Sequence, residues 1–376
     1  MENIFLTCGY SQFCGKFLEL SNAFKEHDQA ILKSYQHKII HLPYIHKNQI
    51  QPAMMKNSID FKLNLFKIII SVALFSSCNS SINKAEKIQE LNLENELATL
   101  IKDFKGEAHL YAKNLTTGEI INIDGESTHL AASEAKFYIL LDYAEKVSNG
   151  TLNPATPIKL TEEDKTLGSG ILRFEIPGNE VSLSFLAYLM MSISDNTATN
   201  ILLREVGGPN AITSFLNKIG IDDTKVAGEV SKGDWIKTSA KSLATAGEVL
   251  AAPEKFGYPE EAVEICKKIM SKHYEDNGLA RFLPWSPFTE EAKSIADNQK
   301  YIQIYAGIEL YGKAGFTPGY RGDVAYIITP DNEYVIGLKC TNVDDSKPLN
   351  ATNEGFEFSA KLGKLFYDHW GIPAAL

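Results

Sequence analysis

The order of strand-like and helix-like segments is the feature that most constrains the fold of this chain. Alternating apolar residues flank a tight turn at 114–118 and return over 308–312, 324–328 and 334–340, as is typical of β-strands. Between these ends, apolar residues recur at helical spacing. Strands at both ends with helices between them favour one antiparallel sheet shared by the ends. We therefore predict an α+β fold: an antiparallel sheet built from both chain ends and flanked by helices, with an inserted all-helical lobe.

The helical spacing also predicts where individual helices lie. Ser182 stands where an N-cap is expected, because a serine hydroxyl can accept a hydrogen bond from a free amide of the first turn. No clear pattern covers residues 276–308, where an aromatic, proline-broken loop could wall a pocket. The predicted helices span 86–104, 133–150, 182–192, 197–206, 211–219, 239–250, 262–273 and 356–370.

Composition and charge narrow the class of function. The chain has 376 residues, of which 44% are hydrophobic and 22% charged, which is ordinary for a globular protein of one large domain or two smaller ones. Its formal net charge of −10 and the absence of a sizeable run of lysine and arginine argue against nucleic-acid binding. We expect function to reside in a pocket that takes a small molecule.

Residues 54–77 have the organisation of a secretory signal. Lysines at 56, 62 and 67 precede the apolar run 68–75, and small residues lead to Cys78. This cysteine resembles the lipidated residue of a bacterial lipoprotein box. A transmembrane anchor is the alternative, although the run is short for a bilayer. We predict a lipid-anchored protein of the bacterial cell envelope, periplasmic or on the outer surface, with 78–94 as the tether.

Residues 1–53 have no role in this scheme, because a signal peptide does not normally follow fifty residues of mixed polar sequence. Our hypothesis is that translation starts at Met54 or Met55. A genuine extension is the alternative. Mass spectrometry of the native precursor decides between them, since any peptide from 1–53 contradicts the hypothesis.

The cysteines and histidines offer no metal site by spacing. Cys266 and Cys340 could pair in an oxidising compartment, but a single candidate pair is no disulfide framework. His109 falls in a predicted strand with no other chemistry near it in sequence, so we interpret it as structural. We predict neither a metal nor a cofactor.

Ser133-Glu134-Ala135-Lys136 opens the helix predicted over 133–150. Positions i and i+3 share a helix face, so Ser133 Oγ and the Lys136 amine can approach each other. A serine hydroxyl attacks a carbonyl only when a base takes its proton, and a lysine held neutral can be that base. Alone, the pattern is more often an N-cap, and Ser81-Ile82-Asn83-Lys84 repeats it within the predicted tether.

Two further motifs follow in the chain. Ser194-Asp195-Asn196 separates two predicted helices, where a capped turn is the structural alternative, and Lys313-Ala314-Gly315 opens a predicted strand. The three motifs, in this order, resemble the class A β-lactamase and penicillin-binding-protein superfamily. The resemblance implies a catalytic domain over 95–376, with an α/β part at 95–131 and 253–376 and a helical lobe at 132–252.

The resemblance also implies roles for individual residues. Ser133 would be the acylated nucleophile and Lys136 its general base, while Ser194 would relay a proton to the leaving nitrogen. Lys313 would supply positive field near them. The amides of Ser133 and Phe316 would form an oxyanion hole. Substrate contacts would come from Asn196, Ala314, Gly315, Thr317 and Arg321.

Two departures from the family pattern bear on activity. Ala314 replaces the usual threonine or serine whose hydroxyl binds the substrate carboxylate, which costs roughly 1.5–3 kcal/mol of binding unless Thr317 or Arg321 compensates. The segment 224–232 lacks the Glu-x-x-x-Asn pattern that supplies a deacylating base, and Glu229 is its only carboxylate. Loss of that base would leave the acyl-enzyme long-lived.

These features predict a serine hydrolase that opens a β-lactam or related amide through an acyl-serine intermediate. One alternative is a D,D-peptidase of the penicillin-binding type that acts on peptidoglycan peptides. Another is a non-catalytic envelope lipoprotein that uses the cleft to bind a cell-wall peptide or a partner protein.

Overall fold

The computed structural model describes residues 92–231, 235–270, 278–283, 308–346 and 352–371. The predictions for 1–53, for the signal at 54–77 and for Cys78 lie outside these residues, as does most of 276–308. In chain order, the strands are β1 Glu107–Asn114, β2 Ile120–Ile123, β3 His129–Leu130, β4 Pro157–Lys159, β5 Glu180–Ser182, β6 Lys225–Val226, β7 Ile236–Thr238, β8 Glu309–Thr317, β9 Tyr320–Ile328 and β10 Glu333–Thr341. The α-helices are α1 at 92–103, α2 Lys136–Ser148, α3 Leu183–Ser192, α4 Asn196–Glu205, α5 Pro209–Lys218, α6 Ala240–Ala251, α7 Glu260–Met270 and α8 Glu354–Phe366.

A five-stranded antiparallel sheet joins the two ends of the described region, in the order β2-β1-β10-β9-β8. The contact between the ends is the β1–β10 ladder, which runs from the pair Glu107 and Thr341 to the pair Asn114 and Tyr334. Strands β8 and β9 pair through a tight turn with Thr317 opposite Tyr320. The predicted α+β class, with a sheet built from both chain ends, is confirmed.

The sheet separates two apolar cores. Val324, Tyr326 and Val335 face a core formed with most of the helices, whereas Ala325, Ile336 and their neighbours face a core closed by α1 and α8. Alternate residues of a strand point to opposite faces of the sheet. Because each face of β9 and β10 meets an apolar core, most residues along these two strands are apolar. Covering both faces with helices removes these strands from water.

The segment 132–252 differs from an all-helical lobe. It contains β4 and β5, which pair with each other, and β6 and β7, which form a three-stranded sheet with β3. Helix α6 packs on the main sheet so closely that a Cβ built on Gly337 would lie 1.9 Å from Ala240 O. Helix α7 contacts α2, where Cys266 Sγ lies 3.9 Å from Leu140 O, and also the main sheet, where Lys267 lies over the Tyr311 ring of β8. Local periodicity predicts helices but not the partner against which each one packs.

The start of α3 agrees with the predicted cap, since Ser182 accepts a hydrogen bond from Phe185 N at 3.2 Å. Ser239 caps α6 in the same way and accepts a hydrogen bond from Ser242 N at 3.0 Å. Helix α4 starts at Asn196, one residue before the prediction, because Asp195 caps it. Helix α8 ends at Phe366, where a π-helical turn, Tyr367–Gly371, continues to the predicted end. The described part of the 86–104 helix begins at 92, so its first residues overlap the predicted tether.

The possible Cys266–Cys340 disulfide is absent. Both cysteines are buried free thiols, and they belong to the two different cores on opposite faces of the sheet. Burial raises the pKa of the Cys266 thiol to about 12 and that of Cys340 further still. Each thiol therefore behaves as a small apolar side chain.

No described helix combines the length and the apolar character needed to cross a bilayer.

Candidate active site

Ser133 and Lys136 lie at the junction of two helical segments. A 3₁₀ turn, Ser133–Ala135, leads directly into α2, whose first residue is Lys136. Ser133 is partly exposed, whereas Lys136 has no exposed surface. The two residues of the first motif therefore differ in exposure, with the lysine inside the protein and the serine at its surface.

The Lys136 amine connects the first motif to the second. Its Nζ donates to Ser194 O at 2.6 Å, to Asn196 Oδ1 at 2.8 Å and to Ser194 Oγ at 3.0 Å. A buried amine is costly unless oxygen atoms surround it, and these three contacts supply that compensation. The structure thus brings together residues nearly 60 positions apart in the chain.

The second motif is both a helix cap and part of the site. Asp195 Oδ1 accepts from Ala198 N at 3.0 Å, and its Oδ2 accepts from Ile171 N and Leu172 N at 2.7 and 2.8 Å. Ser194 has a φ of 57°, a left-handed conformation that costs on the order of 1–3 kcal/mol in a non-glycine residue. Asp195 thus holds the turn together, and the strained Ser194 turns its hydroxyl to Lys136.

The glycine turn at 168–170 packs against this motif. Asn196 N donates to Ser169 O at 3.0 Å, and Asn196 Nδ2 donates to Leu167 O at 2.9 Å. A Cβ built on Gly170 would lie 2.2 Å from the Asp195 carboxylate. The turn is therefore a wall of the site and holds Asn196 in place.

The third motif lies on β8 and abuts the first. Lys313 is buried, with its Nζ donating to Ala314 O at 2.9 Å. A Cβ built on Gly315 would lie only 2.5 Å from Ser133 N, so only glycine permits this approach. The backbone that leads into Phe316 thus passes beside the amide of Ser133, and the oxyanion hole formed by these two amides stays a prediction.

The predicted substrate-contact residues around the β8–β9 turn differ in how exposed they are. Phe316 and Thr317 are exposed, and the Phe316 side chain retains 45% of its accessible surface. Arg321 is 2% exposed; its Nη2 donates to Asp345 and, at 2.8 Å, to Asn353 Oδ1. The guanidinium already has an anionic partner, so the carboxylate role of Arg321 remains a prediction and Thr317 is the more accessible donor.

Sequence reasoning missed the importance of Glu134. This carboxylate is fully buried and accepts hydrogen bonds from Ala132 N, at 3.1 Å, and from the Tyr320 hydroxyl. Burial, reinforced by Glu134, raises the pKa of Tyr320 well above its usual value, so the hydroxyl remains a donor. Glu134 thus fastens the nucleophile turn to β9. A glutamate in a helix's first turn normally indicates only an exposed favourable charge, so no sequence signal marks it as buried.

The segment with Glu229 is anchored to α4 through the next residue. Asn200 Oδ1 accepts from Val230 N at 2.9 Å, and Asn200 Nδ2 donates to Val230 O at 3.3 Å. The side chain of Val230 is 7% exposed, whereas Glu229 is partly exposed. Ser231 continues the contact, since its hydroxyl accepts from Asn196 Nδ2 at 3.1 Å. An apolar side chain is therefore fixed where this segment meets α4, and Glu229 as deacylating base remains a prediction.

A family model described as the β-lactamase enzyme family matches residues 92–370. The chain belongs to the β-lactamase enzyme family. The predicted resemblance to the class A β-lactamase and penicillin-binding-protein superfamily is thereby confirmed.

Individual members of the family are distant in sequence. The β-lactamase CARB-4 of Pseudomonas aeruginosa is 24% identical over 166 residues, which are 44% of this chain and 54% of that protein. The chain thus spans about half the length of this curated relative.

Solved structures show the same fold. The β-lactamase of Sphaerobacter thermophilus superposes with a TM-score of 0.63 at 22% identity, over 75% of this chain and 98% of that one. A mutant of PBP-A, solved as an acyl-enzyme complex with penicillin G, has a TM-score of 0.61 at 22% identity, over 74% and 96% of the two chains.

Within this β-lactamase-family fold, the three predicted motifs converge. Lys136 contacts Ser194 and Asn196, and Gly315 of the third motif lies against Ser133. The arrangement is consistent with a serine hydrolase.

Proposed function

We propose that this chain is a serine hydrolase that opens a β-lactam or a related amide through an acyl-Ser133 intermediate. The supporting observation is the contact of the buried Lys136 amine with Ser194 Oγ and Asn196 Oδ1, at the helix start that directly follows the partly exposed Ser133. Burial of an amine opposes folding unless oxygen atoms surround it, and the oxygen atoms around Lys136 are those of the second motif.

In the proposed reaction, Ser133 Oγ attacks the carbonyl carbon while Lys136 takes its proton. The carbonyl oxygen gains negative charge and accepts hydrogen bonds from the amides of Ser133 and Phe316. One such donor typically contributes about 10²–10³ in rate. The C–N bond then breaks, and Ser194, which contacts Lys136, passes the proton to the departing nitrogen. Water finally cleaves the acyl-serine ester.

Penicillin-binding-type activity on peptidoglycan peptides is the second candidate, and the setting of Val230 favours it. Asn200 holds the backbone N and O of Val230 where the loop meets α4, and the apolar side chain of Val230 is buried there. An apolar residue cannot activate water, so deacylation would depend on the neighbouring Glu229 or be slow. The alanine at 314 removes a donor for a substrate carboxylate, which favours weak turnover or another substrate in either case.

We further propose that the protein acts in the bacterial cell envelope, anchored by a lipid on Cys78. The support is the sequence order of basic, apolar and small residues before this cysteine. A palmitate label that is incorporated into the wild-type chain but not into Cys78→Ala tests this proposal. Equal incorporation into both chains contradicts it.

The deciding experiment for the reaction is intact-mass spectrometry of the full chain incubated with a panel of penicillins and cephalosporins. We expect an adduct with wild type and none with Ser133→Ala. Ser127→Ala, on the exposed loop before β3, is the matched control and should form the adduct normally. A lasting adduct supports the penicillin-binding type, and drug hydrolysis without a lasting adduct supports a β-lactamase. Neither adduct nor hydrolysis with any drug contradicts the β-lactam proposal.

The same time course tests the deacylating base. We expect Glu229→Gln to lengthen the lifetime of the acyl-enzyme without slowing its formation, because only the second step needs a base for water. An unchanged lifetime excludes Glu229 from that role.

A further inference from the structure

Three side chains with metal-binding chemistry meet at the start of the strand that leads to the nucleophile turn. His109 lies on β1, Asp124 follows β2, and His129 opens β3. One ligand atom from each residue can be chosen so that all three lie within 4.8 Å of one another. Sequence spacing concealed the group, since its members are separated by 15 and 5 positions.

The cluster has an unsatisfied polar atom. Among the described residues, His129 Nε2 is one of few buried side-chain nitrogen or oxygen atoms without a hydrogen-bond partner. Leaving such an atom unpaired costs about 1–3 kcal/mol. The His109 and His129 rings stack with centroids 4.0 Å apart, and His109 Nδ1 lies 2.7 Å from Asp124 Oδ2. The unpaired nitrogen therefore belongs to a ring beside an existing His–Asp pair.

Neighbouring groups hold the three side chains as an outer shell would. The Ser127 hydroxyl donates to Asp124 Oδ1, which leaves Oδ2 for His109. The second nitrogen of His109 lies 3.3 Å from Thr341 Oγ1. Such contacts orient metal ligands and fix histidine tautomers in known sites.

From this arrangement we propose that His109, Asp124 and His129 form a binding site for a divalent transition metal, with Zn²⁺ as the best fit. Tetrahedral Zn²⁺ is held at about 2.0–2.2 Å by imidazole nitrogen and carboxylate oxygen, so its ligand atoms lie roughly 3.4 Å apart. Metal binding would replace the His109–Asp124 hydrogen bond, whose atoms at 2.7 Å lie closer than two zinc ligands, and would draw His129 inward from a spacing of up to 4.8 Å. Water completes the fourth position, because the Asp124 side chain is 59% exposed.

The site is separate from the proposed hydrolysis. It links β1, the segment after β2 and β3, and its occupancy would fix the strand that ends three residues before Ser133. The two proposals are tested by different measurements, since metal binding is measured without a β-lactam and acylation is measured without a metal.

The test is equilibrium dialysis of the untagged full chain against Zn²⁺, with Co²⁺ absorption spectra as a second readout. Histidines elsewhere can also bind metal, so the informative quantity is the difference between variants. These histidines are His27, His37, His41, His46 and His273, outside the described residues, and His369. We expect His129→Gln and Asp124→Asn each to lose one bound equivalent, or to bind it at least about tenfold more weakly.

His369→Gln is the matched control, because this histidine lies near Glu96 instead. It should keep the wild-type stoichiometry and the tetrahedral Co²⁺ bands that His129→Gln loses. Circular dichroism establishes that each variant is folded, and Asp124→Asn, at an exposed side chain, should fold normally. Equal binding by wild type and His129→Gln, or no binding by wild type, overturns the proposal.

Discussion

At the scale of single residues, the site depends on Lys136, an amine buried among oxygen atoms. Its three hydrogen-bond acceptors belong to Ser194 and Asn196, so the side chain joins two motifs, and proton transfer is the second role proposed for it. The two roles have different experimental signatures, because general-base catalysis affects acylation while lost hydrogen bonds affect stability.

Lys136→Met should slow formation of the acyl-enzyme by about 10²–10⁴-fold, the usual contribution of a positioned base. It should also leave buried acceptors unpaired and destabilise the fold by about 1–3 kcal/mol. Lys146→Met on the same helix, which breaks a pair with Asp142 at 2.6 Å, is the control and should acylate at the wild-type rate. The rate of adduct formation measures the effect on acylation, and urea unfolding measures the effect on stability. An acylation rate within twofold of wild type would exclude Lys136 as the general base.

A second buried lysine provides a pH-dependent prediction. Burial lowers the pKa of Lys339 from 10.5 to about 8. The unfolded chain therefore binds more protons than the native one between pH 8 and 10.5, and stability rises with pH in that window. Below pH 8 both states are protonated, and the cost of burial is constant.

We expect the unfolding free energy of wild type, relative to Lys339→Met, to increase between pH 8 and 10 by at most about 1.4 kcal/mol per pH unit. Urea unfolding of both proteins at closely spaced pH values measures this difference. Subtracting the free energy of Lys339→Met from that of wild type cancels the titration of the other groups. A difference that is flat or falls over this range contradicts the assigned pKa.

At the scale of elements, the contact between α4 and the 224–231 segment positions the part of the site relevant to deacylation. Asn200 is its centre, because it bonds both backbone groups of Val230 and also donates to Thr166 Oγ1 at 3.0 Å. The segment has only the short strand β6 as regular structure, so these side-chain bonds define its course.

Asn200→Ala should expose the Val230 amide and destabilise the protein by about 1–3 kcal/mol, since buried groups lose their partners. Hydrogen exchange of peptides covering 224–231 should accelerate, while peptides from α2 keep their protection. Asn217→Ala, on the exposed face of α5, serves as the control and should leave exchange in this segment unchanged. Unaltered exchange in Asn200→Ala would show that other contacts order the segment.

The limits of sequence reasoning are clearest at this scale. Strand alternation, glycine turns and serine caps are local signals, and they predicted the antiparallel sheet and the starts of α3 and α6. The packing of α6 on β10 and of α7 on α2 depends on contacts distant in sequence, which periodicity does not encode. Motif order located Ser133, Lys136 and Ser194, whereas the burial of Glu134 and the clamp on Val230 became visible only in three dimensions.

At the scale of the whole molecule, two cores on either side of one sheet replace any need for a covalent cross-link. Cys266 and Cys340 lie in different cores and are fully buried, with thiol pKa values raised by burial. A thiol of this kind is poorly reactive, because the thiolate is the nucleophile and it is almost absent.

Iodoacetamide should therefore leave both thiols unmodified in the native protein at pH 8 and alkylate both in urea. Peptide mapping by mass spectrometry follows each cysteine separately. Because Cys266 and Cys340 form no disulfide, their contribution to stability should not depend on a reducing agent, and the urea midpoint of unfolding should stay the same when one is added. Alkylation of either one in the native state, or a disulfide-linked peptide, contradicts this view of the cores.

The ladder between β1 and β10 has a consequence for synthesis. Glu107 and Thr341 are neighbours in the sheet but 234 positions apart in the chain. Ribosomes extend the chain at about 5–20 residues per second, so β1 and β2 emerge many seconds before the strand that joins them to the rest. During that interval the hairpin has an open edge, which is a template for unwanted pairing. A folding factor that shields this hairpin until the last strands emerge would improve the yield of native protein.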